Sequence, residues 1–152
     1  MYVLEKKLKD ASIAHRLIKE YGGGCKNIHG HTYHFSITVI CNSLNEYGMG
    51  IDFNDIKIIC DNWIQRYWDH VTLVVSADKS FIDFLKKEEM RFFILEGSYD
   101  NTTVENMCDF LVNLFWKEFE YHFNNVEEIS LTTWETDESS CTLVRKKGDV
   151  KL

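Results

Sequence analysis

The chain has 152 residues, 45% hydrophobic and 27% charged, a balance that excludes a disordered segment and suits a single domain over 1–152 with its own core. Its formal net charge of -7 argues against a nucleic-acid partner, which would need a basic face. No apolar run reaches membrane-spanning length, and the opening MYVLEKKLKD carries no apolar signal region, so a cytoplasmic protein with no membrane contact is expected.

Residues 2–17 read as extended chain. The run 21–30, YGGGCKNIHG, is a loop, because three consecutive glycines make a regular element costly. Residues 31–41, HTYHFSITVIC, are rich in β-branched and aromatic types and predict a strand; residues 42–50 form a turn. Ile56, Ile59, Trp63 and Tyr67 recur at helical spacing within 53–67, and a short helix is expected near 79–87. Thr102 and Glu105 form a capping box ahead of an apolar stripe of Met107, Phe110, Leu111, Leu114, Phe115 and Phe119. Residues 126–135 alternate as a strand, and 140–146 read as its partner. The order predicts an α+β domain with helices on one face of an antiparallel sheet.

His29 and His31 are two apart at the entrance to a strand, where alternate side chains share a face. His15, on the preceding strand, is the candidate third partner. Three histidines with an open position are the pattern of a catalytic zinc site. Cys25, four residues before His29, reads either as a fourth ligand in a structural zinc site or as a base beside the metal; a cation lowers a thiol pKa toward neutrality. The other cysteines, Cys41, Cys60, Cys108 and Cys141, lie in apolar or strand-like contexts. An odd count without framework spacing fits free thiols in a reducing compartment. Asp69-His70 is a second candidate pair, since a carboxylate can orient an imidazole; such a dipeptide is equally consistent with a solvated loop. Glu135 ends an alternating strand on the face of Leu131 and Thr133, placed to accept two parallel N–H bonds from a guanidine-like edge.

These pieces, in this order, resemble the 6-pyruvoyl-tetrahydropterin synthase / 6-carboxy-tetrahydropterin synthase family. The family's S-x-x-H segment appears as Ser12 to His15, its Cys…His-Gly-His motif as Cys25, His29 and His31, and its G-M-x-x-D-F segment as Gly48 to Phe53. Its L-D-H appears as Trp68-Asp69-His70, its P-T-x-E-N as Thr102 to Asn106, and its final E-T as Glu135-Thr136. Trp68 stands where leucine is usual, Thr102 where proline is usual, and 76–100 is longer than in compact bacterial members. The resemblance implies a T-fold, a four-stranded antiparallel sheet with two helices on one face, assembled into homo-oligomers, commonly hexamers, with sites between subunits. It implies Zn2+ on His15, His29 and His31, Cys25 as the proton-abstracting base with Asp69 and His70 completing a relay, and Glu135 anchoring the pterin beside Thr103 and Glu105. The implied substrate is dihydroneopterin triphosphate, a polyanion that an acidic chain must hold with local cations. Lys26, in the Cys25 loop, is the stronger candidate and Arg16 the weaker, since Arg16 should point away from His15. The C-x-x-x-H-G-H spacing resembles the queuosine-pathway type, which releases acetaldehyde and triphosphate and leaves a 6-carboxy group. The animal-type loop is two residues longer, and that enzyme eliminates triphosphate to give 6-pyruvoyl-tetrahydropterin. A non-catalytic zinc- or pterin-binding member of the family is the third reading.

Overall fold

The computed structural model describes residues 1–19 and 21–149. In chain order the elements are β1 (Tyr2–Lys7), β2 (Ala11–His15), a single 3-10 turn (Gly24–Lys26) and β3 (His29–Cys41). A continuous helical segment follows: α1 (Phe53–Ile56), a π-type stretch (Lys57–Asp61) and α2 (Asn62–Tyr67). Then come β4 (Val71–Val75), α3 (Lys79–Lys87), β5 (Phe92–Leu95), α4 (Val104–His122), β6 (Val126–Thr136) and β7 (Ser139–Lys146).

The long strand β3 organises the sheet. One edge carries β2 along its first half and β1 along its second, both antiparallel, and the other edge carries β6, which continues to β7. The expected four strands are thus present in a larger sheet: among the described residues it has seven strands, ordered β5-β4-β2-β3-β6-β7 with β1 on β3. The additional pairs, β2–β4 and β4–β5, are parallel, so the sheet is mixed. Three helical segments, rather than two, accompany it. The expected extended segment 2–17 is split into β1 and β2, and the further addition is one β4–α3–β5 crossover, built largely from the lengthened region after Val75. The strand β4 gives no alternating signal because all five of its residues are buried.

The core lies between the sheet and α4. Met107, Cys108, Leu111, Val112, Phe115, Trp116 and Phe119 are its buried positions, in one cluster with Phe35, Ile37, Val39, Ile129 and Leu131 of β3 and β6. The helix starts one residue later than its capping signal suggests. Thr103, with extended backbone, is the cap, and its side chain accepts from the Asn106 amide at 3.3 Å. Thr102 is left with a different task, because it is only 1% exposed and faces β2.

Candidate active site

The β2–β3 register sets His15 opposite His29 and Ile13 opposite His31. All three imidazoles therefore share one face, with ring centroids 4.6 Å (His15–His29), 5.4 Å (His15–His31) and 5.1 Å (His29–His31) apart. One ligand atom from each lies within 4.8 Å of the others. Gly30 between them is required by packing: a Cβ there would stand 3.2 Å from the Ile13 carbonyl oxygen across the strand pair.

Backbone carbonyls fix two of the rings. Nδ1 of His15 donates to the Thr102 carbonyl at 2.8 Å, with Thr102 Oγ1 at 3.2 Å, and Nδ1 of His29 donates to the Asn27 carbonyl at 2.8 Å. With Nδ1 protonated, each Nε2 presents a lone pair, the arrangement that orients metal-bound histidines. Nε2 of His29 and of His31 are buried without a hydrogen-bond partner. Buried orphan nitrogens are rare, and a metal ion with three imidazole ligands satisfies them. His15 is 2% exposed. Burial, reinforced by the two facing imidazoles and opposed by the Thr102 carbonyl, pushes its pKa down to about 4. It therefore stays neutral and competent as a ligand at pH 7.

That shift has a sign. The unfolded chain protonates His15 near pH 6.5 and the folded one only near 4, so the unfolded state binds the extra proton between those values. Metal-free protein should lose stability as pH falls from about 6.5 to about 4, with a slope from this group of about 1.4 kcal/mol per pH unit. Urea unfolding of chelator-treated protein across that window checks this; a His15→Phe variant with the same pH slope would contradict it.

Glu135 reaches the same histidine cluster. Between Trp134 and Thr136 the pairing of β6 with β7 shifts register, and such bulges re-aim side chains. Oε1 of Glu135 lies 3.2 Å from Nε2 of His31, within ion-pair range but not aligned as a hydrogen bond. Cys25 lies in the 3-10 turn, half-buried and unpaired. Its carbonyl accepts from the Leu17 amide at 2.8 Å, which ties the loop to the end of β2. The thiol is not among the atoms close enough to share an ion with the histidines.

Two groups here have no counterpart among the sequence candidates. Tyr33 is fully buried, with its hydroxyl 3.4 Å from Nε2 of His15. Burial, with Glu135 and Cys25 nearby, pushes its pKa up; the period-two spacing from His31 was the available signal. Thr102 is the other, a position where the resemblance pointed to proline.

Asp69 and His70 sit elsewhere on the chain's surface. Asp69 Oδ2 is 2.9 Å from Nδ1 of His70, and its Oδ1 accepts from the Ser12 amide at 2.9 Å. The Ser12 amide, with its Coulombic and hydrogen-bonding neighbour His70, lowers the Asp69 pKa against a desolvation that raises it. His70 is 76% exposed and borders a depression with Ser12, Ala14 and Thr32. The side chains of Ser12, Ala14 and Thr32 alternate with those of Ile13, His15 and His31 along β2 and β3, and Ile13, Gly30 and His31 also line the depression. Of the other expected contacts, Thr103 caps α4, Glu105 is exposed on its first turn, and Lys26 is exposed in the loop. Arg16 points away as expected: it forms a two-pronged ion pair with Asp78 and lies 4.6 Å over the Phe81 ring.

Three convergent histidines at the β2–β3 junction of an α+β sheet define a candidate metal site. The model of the 6-pyruvoyl tetrahydropterin synthase family matches residues 5–146. The chain belongs to this family, whose members are lyases acting on pterin triphosphates. The 6-carboxy-5,6,7,8-tetrahydropterin synthase of Rickettsia bellii is 31% identical over 108 residues, 70% of this chain and 75% of that protein. The enzyme of the same name from Haemophilus influenzae is 28% identical over 131 residues, 82% of this chain and 87% of its own. Among solved structures, the 6-pyruvoyl tetrahydropterin synthase of Plasmodium vivax has a TM-score of 0.72 at 16% identity, covering 96% of this chain and 99% of that one. An uncharacterized protein of Wolinella succinogenes gives 0.73 at 16% identity, covering 93% and 97%. These two share the fold, which is the expected T-fold. Among the described residues no helix is long and apolar enough to cross a membrane.

Proposed function

We propose that the chain converts dihydroneopterin triphosphate to 6-carboxy-tetrahydropterin, releasing acetaldehyde and triphosphate, as a cytoplasmic step toward queuosine-type 7-deazapurines. The observation that carries the reading is the convergence of His15, His29 and His31, two with Nδ1 fixed by carbonyls, beside Glu135. The 6-carboxy outcome is supported by the names of the curated relatives and by the three-residue spacing between Cys25 and His29.

His15, His29 and His31 would hold Zn2+, which supplies Lewis acidity toward the side-chain hydroxyls of the substrate. The carboxylate of Glu135 accepts the N–H groups of the amino-pyrimidinone edge, with Thr103 and Glu105 along the same pocket. Cys25 takes the carbon-bound proton as its thiolate. His70, oriented by Asp69, passes protons to and from the side-chain oxygens. The reading takes the chain to act as a homo-oligomer, expected to be a hexamer, in which one copy's His70 meets another's Cys25. Lys26 faces the phosphates from the Cys25 side.

Product analysis tests this directly. Zinc-loaded protein given dihydroneopterin triphosphate should release acetaldehyde. Release of triphosphate without acetaldehyde would mark the 6-pyruvoyl reaction instead, and no turnover would mark a binding protein. Glu135→Gln sets an amide donor against the pterin's donors. It should weaken dihydroneopterin binding by about 1.5–3 kcal/mol, the range of a charge-assisted hydrogen bond. Unchanged affinity in calorimetry would remove Glu135 from the pocket.

A further inference from the structure

The depression that His70 borders has its own chemistry, and the imidazole alone does not account for it. Its lining includes the hydroxyl residues Ser12, Thr32 and Thr72, together with Met90 and Arg91. Arg91 stands at the entry to β5 and is held from both ends. Its carbonyl accepts from the Thr72 amide at 3.1 Å. Its guanidinium donates to the Arg66 carbonyl at 3.0 Å and to the Asp69 carbonyl at 3.4 Å. Both of these side-chain partners are neutral carbonyls, and among the described residues no ion pair engages the charge.

Several of the other cations are committed elsewhere. Arg16 is paired with Asp78, Lys19 with Asp100, Arg145 with Asp109 and Lys147 with Glu127. In a chain of net charge -7, an exposed guanidinium that shares a depression with the hydroxyl residues Ser12, Thr32 and Thr72 offers a local site for an anion. A guanidinium also suits phosphate geometry better than an ammonium, because it offers parallel donors.

We propose that Arg91, with the hydroxyls of Ser12 and Thr32, binds the triphosphate of the substrate. This rests on the pterin-triphosphate reading above. The triphosphate is esterified to the end of the three-carbon side chain on which His70 acts, so the phosphates emerge beside that imidazole. Arg91 is tied through the Asp69 carbonyl to the same turn and enters the site with it. In the assembled oligomer Arg91 grips the phosphates from the His70 side and Lys26 from the Cys25 side. The same charge stabilises triphosphate as it leaves.

Calorimetry on the zinc-loaded, assembled protein tests the proposal, with dihydroneopterin triphosphate, dihydroneopterin and inorganic triphosphate as separate probes at low and high salt. Arg91→Ala should weaken the triphosphate ester and inorganic triphosphate by about 10–100-fold at low salt and flatten their salt dependence, with dihydroneopterin unchanged. Arg91→Lys, which keeps the charge without the fork, should recover part of the loss. Equal losses for dihydroneopterin and its triphosphate would overturn the proposal, leaving Arg91 as a support for the Asp69–His70 turn. No loss for any probe would overturn it as well. If wild-type protein binds inorganic triphosphate through Arg91 but neither pterin, the anion site stands and the substrate reading fails.

Discussion

Replacing His29 with alanine will leave a folded protein that no longer retains zinc. In metal sites, losing an outer partner of a ligand already costs about 10–100-fold in affinity, so losing the ligand itself should cost more than about 100-fold and remove turnover. Zinc titration with metal analysis after gel filtration reads the effect. His34 supplies the control. It follows Tyr33 on β3 and points to the other face, where Nδ1 lies 2.8 Å from Asp10 and Nε2 3.4 Å from Asp137. His34→Ala should therefore keep one zinc per chain. Equal zinc content in both variants would mean that the imidazole cluster is not the metal site.

Cys25→Ala should show the opposite pattern, with metal retained and turnover reduced by about 10²–10⁴-fold, the contribution of a general base. Loss of zinc would instead make Cys25 a ligand. The proposed assembly, in which Cys25 and His70 of one site come from different chains, allows a sharper test. Cys25→Ala and His70→Ala are each expected to be inactive as pure oligomers. Co-expressed, they should regain part of the activity, because some sites then combine an intact thiol from one chain with an intact imidazole from another. No recovery in proven mixed oligomers would place the two groups in one chain's site and contradict the proposed assembly.

The convergence of the three histidines was legible because it depends on local rules. Period-two alternation put His29 and His31 on one face, and a hairpin register is enough to add His15. The α4 stripe and the β6–β7 pair were legible for the same reason. The crossover through β4, α3 and β5 was legible only as a short helix: VTLVV and FFIL are short, apolar and covered, so they lack the alternation that marks a half-exposed strand. The capping signal was displaced by one residue because Thr102 and Thr103 are equally good cap types, and only the contact with His15 separates them. Arg91 carried no sequence signal. Its significance comes from carbonyls at Arg66 and Asp69, more than twenty residues away in the chain.

The bond from His15 to the Thr102 carbonyl spans 87 residues, and that separation bears on when the site comes into being. The β2–β3 hairpin can gather three imidazoles early in folding, but the first of them cannot be locked until the start of α4 has docked. A chain released from the ribosome before that point holds a loose, rotatable His15 and an immature site. Metal uptake is then coupled to the last long-range closure, and a ligand that binds only the closed form stabilises it by mass action, about 2.7 kcal/mol at a hundredfold excess over its dissociation constant. On the zinc reading proposed above, cells short of zinc would hold this chain at lower abundance as well as lower activity, because the open form is the one that proteases see.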